Sequence, residues 1–218
     1  MKSIYLLLLG SFFLMSCNSE KPDNSPEDVW VDGQTIHSKK LPPINIRVAN
    51  AFKYIGKFAF EIDTLATGER FVFVDADQKN IRRLIIFQFE QFLPTTDEIY
   101  RYSFDNALVL GNHKFKQNTF AYSNAAALRN SPNREGALTA TFLTEKGFSV
   151  EDEFMLSRYV TLGNADRKSE LIIFYIENAS ASGHSISEFY DGDDETEIWQ
   201  TISAGLNQRA LASFTVSE

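Results

Sequence analysis

The chain has 218 residues, 44% of them apolar and 23% charged, with a formal net charge of −8, one cysteine and 19 phenylalanines. Length and apolar content provide for one full-sized core and exclude an intrinsically disordered chain, and a lone cysteine excludes an intrachain disulfide scaffold. An acidic balance without a basic cluster argues against sequence-independent nucleic-acid binding, which replaces counterions with grouped Lys and Arg.

Met1-Lys2-Ser3 precedes an apolar run from Ile4 to Met15. A membrane-spanning helix needs about 20 apolar residues, so this shorter run suits the central region of a secretory signal peptide. Leu14-Met15-Ser16-Cys17, at the end of that run, resembles the lipobox of bacterial lipoproteins, with Met15 where a smaller residue is more usual. The resemblance covers residues 1–17 alone. It implies a signal peptide over 1–16, cleavage before Cys17, and lipid on the Cys17 thiol and on the new amino group. Several acyl chains on one residue anchor stably where one is marginal. The expected location is therefore the cell envelope, on either side of an outer membrane, with the membrane itself a partner through the lipid.

Residues 17–43 read as the lipidated cysteine and a tether. Asn18 to Asp28 has no aliphatic side chain, and Pro22, Pro26, Pro42 and Pro43 fall in the window. Proline stiffens the chain and removes donors. Val29-Trp30-Val31 interrupts the polar run and is a candidate for docking onto the domain. From Ile44 to the end the chain reads as one domain.

Period-2 alternation dominates the first half of that domain. Lys57–Asp63 places Phe58, Phe60 and Ile62 on one face, since successive strand side chains point to opposite sides. Thr67-Gly68-Glu69 reads as a turn, Arg70–Asp75 as a strand, and Asp77–Asn80 as another turn. Arg82–Phe92 sets Ile85, Phe87 and Phe89 on one face, with Gln88 and Glu90 on the opposite, solvated one. Tyr100–Phe104 and His113–Tyr122 read as further strands. Asn124 is placed to cap a short helix, and Glu135–Lys146 has Leu138, Phe142 and Leu143 at helical spacing before Gly147. Phe154–Leu162 and Leu171–Glu177 read as the arms of a hairpin. Glu195–Ser213 carries Ile198, Trp199, Ile202, Leu206 and Ala210 on one stripe of a long amphipathic helix. The expected fold class is α+β: a curved antiparallel sheet of six to seven strands, short mid-chain helices, and a C-terminal helix packed on the sheet. Room for an apolar cavity is expected between sheet and C-terminal helix. A lipocalin-like barrel is the alternative.

Catalytic signatures are absent from the sequence: it has no phosphate-binding Gly-rich loop, no G-x-S-x-G, no H-E-x-x-H and no C-x-x-C. His37, His113 and His184 lie far apart and suggest no metal or cofactor site. The acidic run Asp191–Glu197 does not match the spacing of a calcium loop, and capping of the last helix by Asp193 or Asp194 explains it more simply. Arg158, among Phe154, Leu156 and Val160, is either a contact for an anionic ligand or a partner of a carboxylate such as Glu177. Two functions remain. The preferred one is a non-catalytic module binding an apolar small molecule or an envelope protein. The other is an envelope hydrolase whose residues meet only in three dimensions. Displaced carboxyl groups within a pocket would favour the hydrolase.

Overall fold

Alternating side chains in the phenylalanine-rich segments give long strands, and the structure pairs them all antiparallel. It is a computed structural model that describes residues 28–217. The leader and Cys17 lie outside the described residues. In chain order the elements are β1 (Val29–Asp32), β2 (Thr35–Ser38), β3 (Ile44–Val48), β4 (Lys53–Ile62), β5 (Ala66–Asp77), β6 (Asn80–Phe92), β7 (Leu108–Leu110), β8 (His113–Ser123), α1 (Asn124–Asn130), α2 (Glu135–Glu145), β9 (Glu153–Leu162), β10 (Ser169–Asn178), β11 (Tyr190–Asp191), β12 (Asp194–Glu195), α3 (Glu197–Leu211) and β13 (Phe214–Ser217).

The fold is α+β. A seven-stranded sheet runs β4-β5-β6-β10-β9-β8-β7, and a four-stranded sheet runs β1-β2-β3-β13. The large sheet is open, ending at β4 and β7, so the closed-barrel alternative does not apply. It joins two meanders where β10 pairs with β6. After β6 the chain must therefore cross to the far edge of the sheet before returning through β8 and β9.

Both faces of the large sheet are covered. The first carries Phe71, Phe73, Phe87, Tyr159, Ile173 and Tyr175, all essentially inaccessible. Phe71 meets Phe89 and Phe73 meets Phe87 edge to face, with ring centres 5.9 and 5.7 Å apart. That geometry sets the positive edge of one ring on the negative face of the next. This face is closed by the four-stranded sheet, through Ile36, Ile46, Val48 and Phe214, and by α3. α3 buries Trp199, Leu206 and Ala210, while Ile202 is half-buried and Ile198 turns outward. Between sheet and C-terminal helix, Trp199, Leu206 and Ala210 fill the core, and the groove that opens beside them is lined by charged side chains such as Asp75, Glu177 and Arg209, not by an apolar surface. The second face is covered by α1, α2 and the 93–107 segment.

Several sequence expectations change. Residues 29–38, expected as tether, form β1 and β2, and Val29 and Ile36 belong to the core. Short strands with few apolar residues resemble linker until their partners, β3 and β13, are in place. β13 itself follows directly on the segment that reads as the last helix, Glu195–Ser213, and is not among the expected strands. The turn between β4 and β5 is at 63–65, where Asp63 and Thr64 take positive φ, rather than at Thr67-Gly68-Glu69. The Gln78-Lys79 turn is as expected, with both residues left-handed. Tyr100–Phe104 forms no strand. Its aromatics alternate because they cover the sheet, not because they pair within it.

Candidate functional site

On β6 the residues that alternate with Ile85, Phe87 and Phe89 are Leu84, Ile86, Gln88 and Glu90, and all four are buried on the second face. The register sets Val74 and Val72 beside the first two, with Arg70 beside Gln88, and brings Phe174, Ile172 and Glu170 alongside from β10. One face thus has an apolar half and a polar half, divided at Arg70 and Gln88.

α2 lies over the apolar half. Gly136, Thr139, Ala140 and Leu143 recur at helical spacing on its inner side, and three of them are small. Opposite them stand large side chains of the sheet, among them Phe120, Tyr122, Phe154 and Phe174. The small residues leave an apolar cavity of about 180 Å³, open to solvent on one side, with Arg70 in its wall. This apolar cavity is not the one expected between sheet and C-terminal helix: it lies on the opposite side of the sheet, beneath the mid-chain helices.

Arg70 is only 7% exposed. Its Nε donates to Gln88 Oε1 at 2.7 Å, and its Nη1 donates to the Glu135 carbonyl at 2.8 Å and to Thr139 Oγ1 at 2.6 Å. The guanidinium stacks over the Phe174 ring at 5.0 Å. Burial lowers its pKa to about 10, which leaves it cationic at neutral pH, while Glu135 and Glu90 favour the charge from a distance. Its direct acceptors are all neutral. Among the described residues no carboxylate forms an ion pair with Arg70.

The polar half continues from Gln88, whose Nε2 donates to Glu90 Oε2 at 2.6 Å, while Tyr100 donates to Glu90 Oε1 at 2.5 Å. Glu170 stands opposite Glu90 in the register. Burial, reinforced by the Glu90 charge, pushes the Glu170 carboxyl up to about 7, and burial raises Glu90 as well. Tyr102 interacts with Glu170, and burial followed by that carboxyl raises its phenol strongly. The 93–107 segment roofs this row. Arg167 holds it, donating from Nε to the Tyr100 carbonyl and from Nη2 to the Tyr102 carbonyl, each at 2.8 Å, and Lys168 Nζ reaches the Thr96 carbonyl. The 93–107 segment thus covers the displaced carboxyls from this side. Neither lines the apolar cavity. Glu90 borders a separate groove with Lys57 and Glu69, but no histidine, cysteine or serine lines it.

The sequence-derived candidates fare differently. Arg158 joins the polar row, with Nη2 3.3 Å from the Tyr102 hydroxyl, which accepts the bond. Its expected partner, Glu177, lies on the opposite face and is held by Arg209 Nε and Nη2 at 2.9 and 2.7 Å, and by the Tyr175 hydroxyl. Glu177 and Asp75 border a broad groove on that face, where Asp75 accepts from Arg82 and Arg83. Burial opposes ionisation of Asp75, but those two guanidinium groups outweigh it and lower its pKa. Asp75 and Glu177 are therefore already paired, while Glu151, also in the lining, accepts from the neutral donors Asn178 and Ser180. Asp191–Glu195 is exposed on the small hairpin β11–β12. The last helix is capped by Thr196, whose hydroxyl accepts from the Trp199 amide, not by Asp193 or Asp194. His37 stacks on Trp30, His113 meets Phe115 edge to face, and His184 contacts Glu188. Among the described residues no cluster of three or more His, Cys, Asp or Glu side chains is arranged to hold a metal. Cys17 lies outside them.

Sequence reasoning missed Arg70, Gln88, Glu90 and Glu170 as a group. Alternation placed Gln88 and Glu90 on the face opposite the phenylalanines, and only the covering segments turn that face inward. Comparison of the chain with protein-family models, curated proteins and solved structures finds no match.

Proposed function

We propose that this protein is a non-catalytic binding module of the bacterial cell envelope, anchored by lipid at Cys17, that takes a small apolar ligand in the cavity beneath α2. The observation that carries the binding reading is the separation of the second face. The open cavity is apolar and neither carboxyl with a displaced pKa lines it: Glu170 lies beneath the 93–107 segment, and Glu90, tied to Gln88 and Tyr100, borders a different groove. A hydrolase of the carboxylate type needs such groups within hydrogen-bonding reach of a substrate. The anchor rests on the signal-peptide resemblance of residues 1–17 alone.

The test uses toluene as an apolar probe and Ala140→Phe to fill the cavity from α2. Toluene is expected to raise the thermal midpoint of the unsubstituted chain and to leave that of Ala140→Phe unmoved, because a ligand stabilises only the state that binds it. Absence of any shift in the unsubstituted chain overturns the cavity reading. Ester hydrolysis above background that disappears in Glu90→Gln or Glu170→Gln would instead establish the hydrolase. For the anchor, Cys17→Ser is expected to move the chain from the membrane fraction to the soluble fraction, or to block its processing. Unchanged partition and processing would overturn lipidation.

A further inference from the structure

A cavity of about 180 Å³ admits a ligand of limited size. For scale, an apolar cavity of roughly 150 Å³ in a protein core is enough for benzene. The wall residue that sets this cavity apart from a packing defect is Arg70. A defect would be lined by aliphatic and aromatic carbon, as Leu84, Ile86, Leu156 and Ile176 line most of this one. A guanidinium there is costly to bury, and mixed neutral acceptors compensate it only in part.

The geometry of its bonds shows which part of Arg70 is committed. Nε is taken by Gln88, and Nη1 is shared between the Glu135 carbonyl and Thr139. Those bonds, with the guanidinium over the Phe174 ring, hold its orientation. Nη2 makes no hydrogen bond among the described residues. Tyr122 lines the same cavity, its hydroxyl likewise makes none, and the Arg70 charge acts on it. The nearest acidic groups, Glu135 and Glu90, act on Arg70 without contact, and Glu90 is reached only through Gln88. A preoriented cation with a free amino group, beside a free phenol and walls of aromatic carbon, suits an anion on a compact apolar body.

We infer that the cavity binds a small apolar monocarboxylate, with its carboxylate on Arg70 Nη2 and the Tyr122 hydroxyl and its hydrocarbon part among Phe120, Phe154, Leu143 and Phe174. The hydrocarbon part is one ring or a short branched chain, the size that a volume of about 180 Å³ encloses. This inference rests on the cavity being a ligand site, and adds the chemical class of the ligand.

The test measures binding of phenylacetate, phenylacetamide and toluene to the full chain by calorimetry at neutral pH. Phenylacetate and its amide have nearly the same shape and differ in charge. The acid is expected to bind about tenfold or more tightly than the amide, the difference belonging to charge-assisted hydrogen bonding. Arg70→Met is expected to lose that preference while still binding toluene, which also shows that the variant is folded. Equal affinity for acid and amide in the unsubstituted chain, or an unchanged preference in Arg70→Met, overturns the carboxylate assignment and leaves the apolar cavity standing. Failure of all three probes to bind the unsubstituted chain overturns both. The acid–amide comparison is made on the unsubstituted chain and so decides the matter even if Arg70→Met does not fold.

Discussion

At the scale of single residues, burial converts ordinary polar side chains into constrained ones. Glu170 ionises at about 7, against an ordinary value of 4.5, because it is buried and faces Glu90. Well below pH 4.5 the carboxyl is protonated in both folded and unfolded chains and contributes nothing. As pH rises toward 7 the unfolded chain releases the proton more readily, so folding stability falls through that window. Each pKa unit corresponds to roughly 1.4 kcal/mol, which sets an upper scale of about 3 kcal/mol. Glu170→Gln is expected to flatten the decline in unfolding free energy between pH 4.5 and 7, as followed by urea titration. An unchanged slope would place the effect elsewhere. Gly68 is constrained in another way. A Cβ there would stand 2.6 Å from Phe60 Cζ and 2.6 Å from the Phe89 carbonyl oxygen. Gly68→Ala therefore overpacks the β4–β5–β6 seam, with an expected cost of about 1–3 kcal/mol and a lower thermal midpoint. Thr67-Gly68-Glu69 resembles a turn in the sequence, yet its glycine serves the close approach of an aromatic ring within a strand.

At the scale of elements, most of the long strands and the helices α2 and α3 follow from periodicity, and α1 from the capping residue Asn124. β6, β8, β9, β10 and α2 appear within a few residues of where alternation or helical spacing puts them. The 93–107 segment does not, because Tyr100 and Tyr102 satisfy their polar ends against Glu90 and Arg158 across the sheet, which no local pattern encodes. Its conformation depends on Arg167, which bonds two of its carbonyls. Arg167→Ala is expected to speed amide hydrogen exchange over 93–107 while leaving β5, β6 and β10 protected, since local opening leaves the core strands intact. Equal acceleration in those strands would show that the roof is part of the global cooperative unit. Thr196 caps α3, and Thr196→Ala is expected to cost about 1 kcal/mol through loss of the cap, read by thermal or urea unfolding.

At the scale of the whole molecule, the small sheet ties the two ends of the described chain together. β3 pairs with β2 on one side and with β13 on the other, and the Ala49 amide donates to the Ser213 carbonyl at 2.9 Å. Val29 and Ile36 are buried in the same core as Phe214 and Trp199. A chain beginning at residue 44, the boundary that composition suggests, is therefore expected to lose several kcal/mol of stability or fail to fold, given about 1.5–3 kcal/mol for each fully buried aliphatic side chain. A chain beginning at residue 28 is expected to keep a cooperative transition. Similar melting of the two truncated chains would show the β1–β2 hairpin to be dispensable.

Charge, a leader that resembles a lipoprotein signal, strand alternation and the amphipathic final helix are local properties, so the amino-acid sequence by itself determined an antiparallel α+β chain with its N-terminal pattern. The tertiary structure decided what alternation leaves open: which of the two faces each covering segment closes. Because α1, α2 and the 93–107 segment close the second face, Gln88 and Glu90 become buried polar groups instead of solvated ones. For the same reason Arg70, unremarkable at the start of a strand, becomes a preoriented cation in the wall of a cavity. Pairing across distant segments fixes that environment, and it has no signature within any one of them.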